Sequence, residues 1–189
     1  MMDETSPGSY AGASHLAGAS LPSSSDVLCA ALWYAQQGLR VLPLRPGLKV
    51  PAYGVRGYKD ASSDPVQIRA WWQRMPKSNL GIATGHLVDV IDLDGPDAVR
   101  TWLSLDERPQ FLGRVRTPRP GGYHLYVYAT GDGIATGLLP GIDYRGVGGY
   151  VVAPPSWFGG DESHTYQGNY TWVNMLTLGQ GGADDANMG

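Results

Sequence analysis

The sequence has one cysteine, Cys29, and only four histidines, at positions 15, 86, 124 and 164. A single thiol cannot close an internal disulfide, and histidines so scattered cannot form a cysteine/histidine zinc knuckle. Any metal must therefore sit on carboxylates. Long apolar runs are also missing: none reaches the roughly 18 residues that would span a bilayer, so a transmembrane helix is excluded. The first 25 residues are short of bulky apolar side chains and hold no Lys or Arg, the first base being Arg40. Such a segment cannot repay the entropy of ordering and lacks the positive start of a secretory leader. Residues 1–25 are expected to be a disordered arm, and the compartment is expected to be the cytoplasm. Residues 174–189, with Gly179, Gly181, Gly182, Asp184 and Asp185, read as a flexible tail. The remainder, residues 26–173, has one domain's length and enough material for a core.

A formal charge of -3 does not suggest a nucleic-acid binder, but its distribution does. The outer segments hold four acids (Asp3, Glu4, Asp184, Asp185) and no base, leaving 14 bases against 13 acids in residues 26–173. The bases gather in two stretches: Arg40, Arg45, Lys49, Arg56 and Lys59, then Arg108, Arg114, Arg116 and Arg119. Local patches of this kind, rather than net charge, govern contact with a polyanion. Ordinary solvated surface arginine is the competing reading of charge alone.

Periodicity supplies the elements. Ser25 or Asp26 can cap a helix whose Leu28, Ala31, Leu32 and Ala35 share one face, with Gly38 as its stop. Residues 39–44 read as a short strand, followed by a basic loop broken by Gly and Pro. Asp64-Pro65 starts a second helix with Ile68, Trp71, Trp72 and Met75 inward, ended by Pro76. A strand over 88–94, a helix over 96–105 with Val99, Trp102 and Leu103 inward, and strands over 123–129 and 150–153 complete the reading. The expected class is mixed α/β (α+β) with a largely antiparallel sheet.

Three clusters carry chemistry. In Val88-Asp89-Val90-Ile91-Asp92-Leu93-Asp94, alternation puts Asp92 and Asp94 on the face of Val88 and Val90. Two carboxylates about 7 Å apart on an apolar strand repel unless a cation lies between them, and Mg²⁺ or Mn²⁺ commonly takes one or two carboxylates plus substrate phosphates. In Gly122-Tyr123-His124-Leu125-Tyr126-Val127-Tyr128, His124 shares a face with Tyr126 and Tyr128. In Gly141-Ile142-Asp143-Tyr144-Arg145-Gly146, Asp143 is either a turn residue paired with Arg145 or a third acid beside a phosphate clamp.

The order of these clusters resembles the archaeo-eukaryotic primase superfamily, and more closely the N-terminal domain of bifunctional DNA primase/polymerases of phages, plasmids and mobile elements. The resemblance extends through residues 42–51 (LPLRPGLKVP), 60–64 (DASSD), Trp71-Trp72, 79–85 (NLGIATG), 122–126 (GYHLY) and 151–156 (VVAPPS). It implies a primase-polymerase fold with an RRM-like catalytic sheet and an N-terminal αβ unit. It also implies that Asp92, Asp94 and Asp143 bind Mg²⁺ or Mn²⁺, and that His124 contacts the phosphates of the incoming nucleotide. Many members carry a serine where Gly122 stands, so a hydroxyl contact there is lost or replaced by a backbone N–H. Lys49 and Arg145 match basic positions of the family pattern. Arg45, Arg56, Lys59, Arg116 and Arg119 are expected along the template and primer.

The implied reaction is transfer of a nucleotide from a (d)NTP to a primer or initiating nucleotide on single-stranded DNA, with a separately encoded replicative helicase as a further partner and no membrane involved. The rival readings are a metal-dependent nuclease or phosphoesterase using the same acids on water, and a non-catalytic replication accessory of the same fold.

Overall fold

A computed structural model describes residues 26–178. The expected arm 1–25 and the tail from residue 179 onward lie outside the described residues.

Asp26 opens α1 (Val27–Gln36) by accepting from the N–H groups of Leu28 and Cys29, and Gly38, at φ +83°, turns the chain just past its end. Strand β1 (Val41–Leu44) follows, starting two residues later than its apolar run. After a basic loop with one 3₁₀ turn (Gly57–Lys59), Asp64 caps α2 (Pro65–Arg74) through the Val66 N–H. Ile68, Trp71 and Trp72 are buried, each contributing roughly 2–3 kcal/mol of apolar transfer. The next elements are β2 (Asn79–Ala83), β3 (Val88–Leu93), α3 (Pro96–Leu103) and β4 (Gly113–Arg116). They lead into β5 (Tyr123–Tyr128), β6 (Ala135–Leu139), β7 (Ile142–Arg145) and β8 (Tyr150–Val152). The described chain closes with β9 (Trp157–Phe158), β10 (Gly168–Asn169) and β11 (Thr171–Asn174).

The strands form a six-stranded sheet in the order β11-β4-β5-β3-β7-β6, a three-stranded sheet β1-β2-β8, and the ribbon β9-β10. Every pairing between strands is antiparallel. The fold is α+β. Alternation along β3 and β5 feeds two cores, one on each face of the large sheet. Ile91, Leu93, Leu125 and Val127 meet Ala98, Val99 and Trp102 of α3 on one face. Val88, Val90, Val115 and Tyr126 meet α1, α2 and the small sheet on the other.

Besides the later start of β1, larger differences from the sequence reading occur at α3, at the end of β3 and at the end of the domain. Helix α3 stops at Leu103, which is exposed, because Ala98, Val99 and Trp102 form the inward face and Leu103 lies about 100° further round. Strand β3 ends at Leu93, and Gly95, at φ +103°, turns the chain into α3. The packed chain also runs past residue 173: Leu176 is buried and the Thr177 N–H donates to the Leu112 carbonyl at 2.9 Å. Among the described residues no helix is long and apolar enough to cross a membrane.

Candidate active site

Register brings the three clusters into one row. Asp92 on β3 lies opposite His124 on β5 and opposite Asp143 on β7, and His124 in turn lies opposite Val115 on β4. Directly opposed residues of antiparallel strands project from the same face, so Val115, His124, Asp92 and Asp143 stand side by side. Arg145, two residues beyond Asp143, occupies the same face opposite Val90. The row faces the small sheet and ends in a cleft of about 410 Å³ between the two sheets.

Charge is arranged by side. Asp92 and Asp94 line the cleft, with Lys49, Arg119, His124 and Arg145 around them. Arg119 Nε lies 2.8 Å from Asp94 Oδ1, and Arg145 Nη2 lies 2.7 Å from Asp143 Oδ2 and 3.6 Å from Asp92 Oδ2. His124 Nε2 is 3.6 Å from Asp92 Oδ1, too far for a hydrogen bond. Asp92 thus faces the cleft with an arginine and a histidine nearby, neither of them hydrogen-bonded to it. Burial, followed by repulsion from Asp92, pushes the Asp94 carboxyl above its ordinary value despite Arg119. His124 is 5% exposed, and burial pushes its imidazole below the usual histidine value, partly offset by Asp92. Its Nδ1 is buried without a hydrogen-bond partner among the described residues.

The family model for bifunctional DNA primase/polymerase, N-terminal (Prim-Pol), matches residues 31–180. The chain belongs to this family. Membership gives the Prim-Pol domain nucleotides and nucleic acid as its substrate classes and nucleotidyl transfer as its general chemistry. No curated protein matches the sequence.

Within the Prim-Pol domain the singled-out residues separate into four groups. Asp92, Asp94, His124, Lys49, Arg145 and Arg119 line the cleft together. Arg119, expected along the template and primer, is a cleft residue paired with Asp94. Asp143 stands in the row, but its carboxylate is turned to Arg145 and to the Gly137 N–H at 2.7 Å. Arg45, Arg56, Lys59 and Arg116 do not line the cleft. Arg45 lies over the Tyr53 ring at 3.9 Å, Arg56 pairs with Asp60, and Lys59 and Arg116 are exposed. Gly122 does not offer its backbone to a ligand: its N–H donates to the Arg119 carbonyl at 2.9 Å, closing the turn before β5. A Cβ at Gly122 would come within 2.5 Å of Thr117 Oγ1, so the hydroxyl of Thr117, a cleft residue, occupies that space.

Among the described residues no three His, Cys, Asp or Glu side chains are arranged to hold a metal by themselves. Asp92 and Asp94, mutually repelling carboxylates in a polar cleft, do fit a hard cation completed by substrate phosphate oxygens. Asp143 would join them by exchanging Arg145 for the cation.

Several cleft residues were not anticipated: Thr117, Tyr150, His164, Tyr166 and Tyr170. The available signal was the even-numbered series His164, Tyr166, Tyr170 and Trp172 near the end of the domain, which tight turns interrupt. Tyr170 stacks on His124 with ring centroids 5.5 Å apart, and Lys49 Nζ donates to Tyr166 Oη at 3.0 Å.

Proposed function

We propose that this Prim-Pol domain joins a nucleoside triphosphate to a primer or initiating nucleotide on a single-stranded DNA template. The observation that carries the reading is the cross-strand row His124–Asp92–Asp143 beside Asp94, in a cleft whose remaining charges are basic. Asp92 and Asp94 would hold Mg²⁺ or Mn²⁺, with Asp143 as a further ligand. The cation would lower the pKa of the attacking hydroxyl and stabilise charge on the transferring phosphoryl group.

The remaining work falls to the chain's own groups. Lys49, Arg119 and Arg145 neutralise the triphosphate and hold it in line for attack. His124, kept neutral by burial, offers a hydrogen bond to a phosphate oxygen without competing for the acids. The exposed bases Arg56, Lys59 and Arg116 follow the nucleic-acid backbone outside the cleft. The setting we infer is replication of phage, plasmid or mobile-element DNA.

The test is to incubate the protein with Mn²⁺ or Mg²⁺ and single-stranded DNA, with and without a labelled primer, using ribo- or deoxynucleotides. Primer lengthening, or new strands without a primer, is the expected outcome. Shortening of the primer would instead support a hydrolase that directs the same acids at water, and DNA binding with neither product would leave only an accessory role.

A further inference from the structure

The second histidine of the cleft is held in the manner of an acid catalyst. His164 Nδ1 lies 2.7 Å from Asp161 Oδ1, which also accepts the Ser163 N–H at 2.9 Å. Reciprocal backbone bonds between Asp161 and His164, at 3.0 and 3.2 Å, close the turn that carries the pair. The imidazole packs edge-on against Phe158 and Tyr166, with centroids 6.1 and 5.2 Å away. Because a carboxylate only accepts, Nδ1 must carry a hydrogen, and Nε2 is the nitrogen left for a ligand in the cleft.

The neighbours of this ring indicate which part of a substrate it meets. Lys49 Nζ donates to the same Tyr166 and lies 4.5 Å over the same Phe158 ring, and Arg119 lies 5.3 Å over Tyr166. His164 therefore shares two aromatic supports with the lysine placed on the triphosphate. The charged and titratable groups around it are Asp161 and Glu162 in its own turn, Tyr166, and, across Tyr166, Lys49 and Arg119. Asp92 and Asp94 line the same cleft but make no contact with it closer than 4 Å as an ion pair.

We propose that His164, oriented by Asp161, protonates the departing pyrophosphate, an inference that rests on the nucleotidyl-transfer reading above. The primer 3′-oxygen bonds to the α-phosphorus as the bond from that phosphorus to the α,β-bridging oxygen breaks, its electron pair staying on the bridging oxygen. His164, as the imidazolium, gives its Nε2 proton to that oxygen, the hydroxyl proton passes to water, and the resulting neutral imidazole, still holding its Nδ1 hydrogen on Asp161, is reprotonated from solvent. His164 is a catalytic residue in this scheme, and Asp161 is a positioning residue.

The experiment is single-turnover primer extension with Mn²⁺, comparing wild type, His164→Gln and Asp161→Asn. The nucleotides form a series in which the β,γ-bridging carbon bears hydrogen, chlorine or fluorine, so that the leaving group becomes progressively less basic. His164→Gln should slow incorporation of the most basic leaving group about 10²-fold. The defect should shrink steadily toward the least basic one. Asp161→Asn should follow the same trend at about tenfold. Nucleotide affinity of His164→Gln within about threefold of wild type shows that the cleft is intact, because the proton is needed only as the bond breaks. A His164→Gln defect equal across the series, or absent, overturns the inference while wild-type extension leaves the transferase reading standing. No incorporation by wild type overturns both.

Discussion

The cleft has two walls built in different ways. On one wall His124, Asp92 and Asp143 stand on three neighbouring strands of one sheet, their spacing set by backbone register. On the other, Lys49, Arg119, His164 and Tyr166 come from loops, and side chains hold one another: Lys49 on Tyr166, His164 on Asp161, and Arg119 across to Asp94. The strand wall tolerates loss of a side chain without moving its neighbours, because hydrogen bonds between main chains fix it. The loop wall has no such frame, so a change at one residue propagates to the next. Chemistry that needs fixed spacing between carboxylates suits the first wall, and accommodation of a flexible triphosphate suits the second.

Asp92→Ala tests the independence of the strand wall most severely. Incorporation should fall at least about 10³-fold while the far-ultraviolet spectrum and melting temperature hold, since acids gathered at a site commonly cost stability. Loss of the fold would mean that the row is structural.

Asp89→Ala should have the next largest effect, and it concerns the frame of the strand wall. Asp89 is fully buried on the opposite face of β3. Its carboxylate accepts the Gly85 N–H at 2.8 Å, the Thr130 N–H at 2.9 Å and the Tyr144 hydroxyl at 2.5 Å. Leaving those donors unpaired should cost about 3 kcal/mol in denaturant titration. A cost under about 1 kcal/mol would show that the network is dispensable.

His124→Gln should raise KM for nucleotide about tenfold with a smaller change in kcat. The same variant changes the pH dependence of stability. Buried His124 takes a proton less readily than it would in the unfolded chain, so its stabilisation is intact above its ordinary value of 6.5 and is lost as acidification passes toward its lowered folded value. Melting temperatures from pH 7.5 down to pH 5 should decline less in His124→Gln than in wild type. Parallel declines would argue that another group titrates.

The smallest effect on stability is expected from Asp94→Asn, whatever the variant loses in activity as a metal-holding acid. Because its folded carboxyl is raised, ionised Asp94 weakens the fold at neutral pH, and that cost disappears as pH falls below 3.8. The variant should melt slightly higher than wild type at pH 7 and equally at pH 3.5. A lower melting point at pH 7 would mean that the ion pair with Arg119 outweighs the repulsion.

The two walls also differed in how readily they could be read from the sequence. Asp92 and His124 were legible because β3 and β5 each face two cores, so alternation between faces is strict and a polar residue on the wrong beat stands out. Asp143 was ambiguous: β7 is four residues long with Gly141 and Gly146 at its ends, which reads equally well as a turn. Strand β2 was missed as an element because all five of its residues are buried and show no alternation. Half of the loop wall was legible, Lys49 from the family pattern and Arg119 from the basic stretches, but its aromatic and histidine half left almost no trace. His164 and Tyr166 reach the cleft through turns of Asp161 and neighbouring glycines, and no period of 2 or 3.6 records such a path.

Residues 146–149, which carry the chain from β7 in the large sheet to β8 in the small one, have a further consequence. Thr84 Oγ1 donates to the Gly146 carbonyl at 2.7 Å, the Thr84 N–H donates to the Gly149 carbonyl, and the Val147 N–H donates to the Asp132 carbonyl. Side chains at Gly146 or Gly149 would collide with Asp132 or Thr84. This short tether acts as a gauge block: it sets how far apart the sheets stand along that edge, and bulkier cargo must be accommodated at the side away from it.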